Sequence, residues 1–282
     1  MFDPRFALPL ISVFVWTLLS SNGAAAQSGS SVTSPAIEVL PSAAEIVRNI
    51  NNRDEGESVT RTLSMQLIDR RGKIRERNTR GYRKYYDVDK HTILFYLSPK
   101  NVKDTAFLTY DYADSEREDD QWLYLPAMRK VRRISASDRG DYFLGTDLTY
   151  EDMKLETRVS ERDYHYKTLG KSEVDGHECF LIEATPVDET TARELGYSRV
   201  ESCIDAEIWM ARRSRFWDIR GNLLKTVHAE DIRQVQGIWT QHKLSVENHK
   251  TGHTTLLTFS EIDYQSPIED SIFSKTALKR GI

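Results

Sequence analysis

The sequence is poor in the features that mark most chemistry. Among 282 residues there are two cysteines, Cys179 and Cys203, and the formal net charge is −4. With no surplus of basic residues, a nucleic-acid-binding class is excluded. Neither cysteine stands in a Cys-x-x-Cys or Cys/His setting, which argues against a redox, catalytic or metal role. There is no glycine-rich phosphate loop with a Lys, no His-Glu-x-x-His and no Gly-x-Ser-x-Gly elbow. The seven histidines are scattered. His249 and His253 bracket a turn without a third ligand, and read as a solvated hairpin rather than a zinc site. Past the N-terminal stretch no apolar run approaches a membrane span, and no repeat of 20–50 residues is visible. The expectation is a protein that is not an enzyme and carries no metal and no cofactor.

What the chain does have begins at its N-terminus. Arg5 opens a short basic region, Phe6 to Leu19 is nearly all apolar, and Ala24-Ala25-Ala26 offers a small-residue cleavage site before Gln27. That is the layout of a secretory signal, and the apolar stretch is short for a membrane span. No Cys follows the cleavage point, so the exported form is expected to be soluble in the periplasm and not lipid-anchored. Residues 1–26 are therefore read as a cleaved signal peptide and 27–41 as a flexible leader. Residues 42–282 are read as one domain. Ser42-Ala43-Ala44-Glu45 has the form of a capping box, and Ile46, Val47 and Ile50 follow on one helical face.

After that helix the chain alternates with a period of two. Val59, Arg61, Leu63, Met65 and Leu67 share one side of their strand, while Thr60, Thr62, Ser64 and Gln66 share the other. Strand-like runs recur to Ile262, separated by turn chemistry such as Asp175-Gly176, Arg220-Gly221-Asn222, Gln236-Gly237 and Thr251-Gly252. About a dozen strands with a single early helix give a mainly β, antiparallel meander, wide enough to curl into a barrel or half-barrel. Cys179 and Cys203 sit on two runs expected to be neighbours. In an oxidising compartment they form a disulfide, contributing roughly 3 kcal/mol by the chain-entropy model, or else remain two buried thiols.

Charge and aromatics leave alternatives open. The acidic run Asp111, Asp114, Glu116, Glu118, Asp119 and Asp120 lacks the spacing of a calcium loop and reads as a solvated loop. The basic clusters at 129–133 and 212–215 are solvated strand faces or a contact surface for anionic headgroups. Aromatic side chains are spread over the strands, among them Phe95, Phe107, Trp122, Tyr124 and Trp239. They fill a core or line a large apolar cavity; composition does not separate the two.

Two motifs carry a resemblance. Trp122 to Ile134 reads WLYLPAMRKVRRI, and Phe143 to Met153 reads FLGTDLTYEDM. Together they resemble the outer-membrane lipoprotein-sorting protein family, which is similar to the periplasmic lipoprotein carrier LolA. The resemblance extends over the Asp175-Gly176…Cys179 hairpin, Trp217 to Gly221 and Gly237 to Trp239, and so runs from about Ile46 to Phe273. It implies a LolA/LolB-like fold, an incomplete antiparallel β-barrel with a helical lid over a hydrophobic cavity. It implies cargo made of acyl chains and, as partner, an inner-membrane exporter of the resistance-nodulation-division (RND) type. A hopanoid or a membrane glycolipid suits an apolar groove as well as a lipoprotein does. The family supplies no catalytic residues to carry over. The chain is expected to act as a monomer that touches membranes peripherally.

On this reading the cavity and lid candidates are Ile46, Val47, Ile50, Leu63, Met65, Leu67, Phe95, Phe107, Trp122, Tyr124 and Trp239. The motif residues are Trp122, Tyr124, Pro126, Arg132, Gly145, Asp147, Tyr150 and Asp152. Pro126 cannot donate to a ladder and should end its strand; Gly145 permits a backbone that a Cβ would forbid. Asp147 or Thr149 can cap a short helix, with Asp152 completing the pattern. These residues either hold a loop in shape or touch cargo. The alternative to a carrier is a filled barrel that docks to an envelope exporter as an accessory subunit, and a hydrolase with an unrecognised site stands behind both.

Overall fold

The computed structural model describes residues 40–114 and 116–282; the expected signal peptide and nearly all of the leader lie outside the described residues. Leu40–Ile282 packs as one unit. Its frame is a single open, curved, antiparallel sheet of 13 strands.

The sheet is two meanders joined along one seam. Strands β1 (Ser58–Ile68), β2 (Ile74–Tyr86), β3 (Asp89–Ser98), β4 (Ala106–Asp111), β5 (Asp120–Leu125) and β6 (Lys130–Arg133) pair each with the next. The second meander runs through β7 (Tyr164–Val174), β8 (His177–Pro186), β9 (Tyr197–Asp205) and β10 (Ala211–Asp218), then β11 (Leu223–Val235), β12 (Ile238–Asn248) and β13 (His253–Asp263). Pairing of β1 with β13 closes the seam, with Leu63 opposite Phe259 and Met65 opposite Leu257. Strands β6 and β7 remain the two free edges. A segment of about 30 residues links them across the inner face of the sheet, and carries helix α2 (Tyr150–Leu155).

Period-two alternation decides what faces inward. Leu123, Phe107, Leu94, Gly81 and Arg61 are cross-strand partners in one row through β5, β4, β3, β2 and β1. Above that row, Phe143, Leu148 and Tyr150 of the crossing segment pack with Met65, Leu67, Leu94, Tyr96 and Phe107. The residues between them in sequence point outward. Ile93, Phe95, Leu108 and Trp122 form a second core on the outer face with Ile268, Phe273, Ala277 and Leu278. Phe273 and Leu278 are buried there, and each such side chain contributes about 1.5–3 kcal/mol by leaving water. This is why β3–β5 are apolar on both faces.

Four α-helices are present among the described residues: the early one expected, the short one expected at the Thr149/Asp152 box, and two more. Helix α1 (Ala43–Asn51) starts in the capping box of Ser42 and Glu45, and α2 in that of Thr149 and Asp152. Helix α3 (Glu189–Leu195), between β8 and β9, opens on the Asp188 side chain and stops at Gly196, which has φ +80°. Helix α4 (Lys275–Arg280) is capped by Ser274. On the outer face Cys179 and Cys203 are disulfide-bonded, with Cα atoms 5.4 Å apart, beneath Val174. No helix among the described residues is long and apolar enough to cross a membrane.

Candidate functional site

Between the inner face of the sheet and a cover lies a cavity of about 250 Å³. Its floor is apolar and drawn from both meanders: Leu63, Leu94 and Phe107 on one side, Val227, Leu244, Leu257 and Phe259 in the middle, Ile182 and Val200 on the other. The cover is α1, through Ile50, and Arg53 just past its end, together with residues from the segment 151–160. Helix α1 sits on the β8–β9 side, where Ile46 and Ile50 pack on Phe180, Ile182 and Ile204. One side chain ties the two parts of the cover together. Asn51 Nδ2 donates to the Val159 carbonyl at 3.1 Å, and the Val159 N–H donates back to Asn51 Oδ1 at 3.0 Å.

The cavity wall beside α1 is charged. Glu55 pairs with Arg53 and Arg83, and also accepts from Thr157 Oγ1 and Tyr85 Oη. Burial alone would raise the Glu55 carboxyl, but the Arg83 and Arg53 guanidiniums outweigh it and hold it well below the usual carboxylate range. Arg61 pairs with Glu156. Behind them, buried Lys90 bonds Asp111 at 3.1 Å, and Lys154 bonds Asp119 at 2.5 Å and Glu151 at 2.8 Å. Burial pulls the Lys154 ammonium down, yet Glu151, Asp119 and Asp111 raise it overall. Part of the acidic run expected to be solvated therefore turns inward, because two buried lysines need carboxylates. Among the described residues no cluster of three or more His, Cys, Asp or Glu could hold a metal ion.

The sequence-derived candidates divide. Ile50, Leu63 and Phe107 line the cavity, and Trp239 stands at it with 40 % of its surface exposed. Ile46 and Val47 are buried on α1 but do not line it. Met65 and Leu67 share the inner face, yet they lie in the core with Phe143 and Tyr150 and are not cavity residues. Phe95, Trp122 and Tyr124 are corrected outright: alternation turns them to the outer face, where the C-terminal segment covers them. Lys275 Nζ lies 4.3 Å above the Trp122 ring.

The second motif forms a strap across the sheet. Gly145 has φ +81°, and a Cβ there would meet only Arg77 Nη2 at 3.9 Å, so backbone conformation rather than space calls for glycine. Asp147 accepts from Thr255 Oγ1 at 2.6 Å and lies 2.5 Å from His253 Nδ1, on β13. Asp152 accepts the Thr149 N–H at 2.7 Å and Tyr197 Oη at 3.0 Å. Lys225, fully buried on β11, joins both ends of the strap, donating to Asp152 Oδ2 at 2.5 Å and to the Asp147 carbonyl at 3.0 Å. Tyr150 fills the core with Phe143 and Phe107. Pro126 ends β5 in a 3-10 turn, and Arg132 pairs on the surface with Asp138. The motif thus shapes the crossing segment; of Pro126, Arg132, Gly145, Asp147, Tyr150 and Asp152 only Asp152 reaches the cavity, beside Leu148, Glu151 and Met153 of the same strap.

Sequence reasoning missed the charged wall and Lys225. An isolated Arg or Lys at an inward strand position carries the same signal as a solvated one. The available hint was Arg61, placed on the apolar side of β1 by alternation.

A family model described as an uncharacterized protein matches residues 88–280. No curated protein matches the chain. Among solved structures, a protein from Vibrio parahaemolyticus assigned as an outer-membrane lipoprotein-sorting domain is 29 % identical, with a TM-score of 0.76, over 84 % of this chain and 97 % of that one. A DUF1329 family protein from Desulfovibrio piger is 27 % identical, with a TM-score of 0.75, over 83 % of this chain and 96 % of that one. A LolA superfamily protein from Nitrosomonas europaea shares the fold, with a TM-score of 0.64 at 20 % identity, over 84 % of this chain and all of that one.

Proposed function

We propose that the chain, which belongs to the family whose model matches residues 88–280 and matches outer-membrane lipoprotein-sorting and LolA superfamily proteins in structure, is a periplasmic carrier of lipid or lipidated cargo. The cavity carries the proposal: a space with an apolar floor between a curved sheet and a short, tied cover. Small-molecule pockets run to about 300–1,000 Å³. At about 250 Å³ this one suits a single acyl chain, and bulkier cargo would need the cover to move. Helix α1 is the lid, since it is short and contacts the sheet through few apolar side chains. The signal-like N-terminus supports export. An RND-type inner-membrane exporter as partner rests on the family resemblance. The gap beneath α1 counts against a filled accessory barrel.

Leu244→Trp tests the carrier reading, because Leu244 is only partly buried and faces the cavity. The larger ring displaces the space of three or four CH2 groups. At about 0.8 kcal/mol each, uptake of a fluorescent fatty acid should weaken by about a hundredfold while circular dichroism is unchanged. Full uptake by a folded variant would place the ligand elsewhere.

A further inference from the structure

The charged wall of the cavity does not balance. Four guanidinium groups line it, those of Arg53, Arg61, Arg83 and Arg158, against two carboxylates, Glu55 and Glu156. Arg212, Asp152 and Glu151 also reach the cavity, but each is matched elsewhere, by Asp205 at 2.5 Å, by Lys225 at 2.5 Å and by Lys154 at 2.8 Å. Two of the four arginines are more than nine-tenths buried: the Arg53 side chain is 9 % exposed and that of Arg83 5 %. Burial of cations in excess of their counter-charges is costly, and an anion that enters the cavity relieves it.

Hydrogen bonding shows the same deficit. Arg53 uses only Nη2, on Glu55 and Thr157, and its Nε and Nη1 have no acceptor among the described residues. The Nε of Arg83 has none either. On the adjacent strand Thr92 pairs in register with Arg83, lines the cavity, and carries a buried hydroxyl without a partner. A guanidinium presents its N–H groups in a planar fork that matches the oxygens of a carboxylate or phosphate. A hydroxyl beside it adds a further donor.

From this placement, and resting on the carrier reading, we propose that the cargo is an amphiphile with an acidic headgroup. Its carboxylate or phosphate sits against Arg53, Arg83 and Thr92, and its chain runs over Leu94, Leu63 and Phe259. The geometry favours an anionic lipid over a fully acylated lipoprotein anchor, whose acylated cysteine carries no charge to meet the arginines.

Binding of an anthroyloxy-labelled stearic acid is compared with binding of its methyl ester, which keeps the chain and removes the charge. The full chain should prefer the acid by at least tenfold, the range expected of charge-assisted hydrogen bonds. In Arg53→Met the preference should fall to within about twofold. Thr92→Val removes a hydroxyl that has no partner among the described residues, so it keeps the fold and should lower the preference by about threefold. Acid and ester binding equally well to the unaltered chain would overturn this inference and leave the carrier reading standing. Binding of neither would overturn the carrier reading itself. Displacement of the acid by millimolar inorganic phosphate would mean a site for free anions, and would also overturn the proposal.

Discussion

Replacing Lys225 by Met removes a buried cation that clamps the strap to the second meander. The ammonium is fully buried and donates to Asp152 Oδ2 at 2.5 Å and to the Asp147 carbonyl at 3.0 Å. It also lies 4.7 Å from the Phe216 ring centroid and 5.1 Å from that of Tyr197. Breaking a buried pair by removing one partner costs about 3–5 kcal/mol, most of it from the charge left behind. Here Asp152 keeps the Thr149 N–H and the Tyr197 hydroxyl, and Met packs well against the two rings. The loss should therefore sit near the lower bound, at about 3 kcal/mol. Urea unfolding followed by circular dichroism measures it, with the m-value checked so that the change is one of stability. Lys225→Met combined with Asp152→Leu should recover at least about 1.5 kcal/mol, since no buried charge is then stranded. A loss below about 1 kcal/mol in the single variant would mean that the strap is not held by this lysine.

Two further outcomes follow from the cover and its charged wall. Ile50→Asp sets an unpaired charge against Phe180, Ile182 and Ile204, a cost of several kcal/mol if α1 stays docked. The helix should lift, leaving the β-sheet spectrum intact while fatty-acid retention falls; lost β structure would make α1 part of the core. Glu55 is held below its ordinary value of 4.5, so its ionised form stabilises the fold above that pH, and the contribution is lost as the pH falls further. Glu55→Gln should be less stable than the unaltered chain at pH 7, with the gap narrowing below about pH 4.5; urea midpoints that stay parallel across pH 3–7 would refute the assignment.

Much of the frame is legible from residue patterns because it depends on local chemistry. Alternation around Leu63 and Met65 marks β1, and the Ser42/Glu45 and Thr149/Asp152 boxes mark two helix starts. The sidedness of β3–β5 is not legible. Phe95 and Trp122 alternate with Leu94 and Leu123, so both faces read as apolar, and only the C-terminal segment decides which is covered from outside. That segment is short, a 3-10 turn and the six residues of α4, too brief for helical periodicity to show. Helix α3 carried the Asp188 and Gly196 signals at its ends but has a single buried apolar residue, Leu195, to reveal its face. The interior charges are the deepest gap. Arg83, Lys90 and Lys225 are buried against partners distant in sequence, and no local pattern reports a partner.

Native mass spectrometry of the purified protein, followed by lipid extraction, bears most directly on the central claim. A carrier with this cavity should retain one acyl lipid per chain, seen as a single added mass that disappears on extraction and reappears as an acyl-chain species. A chain of unadorned mass that also takes up no fatty acid in solution would contradict the account.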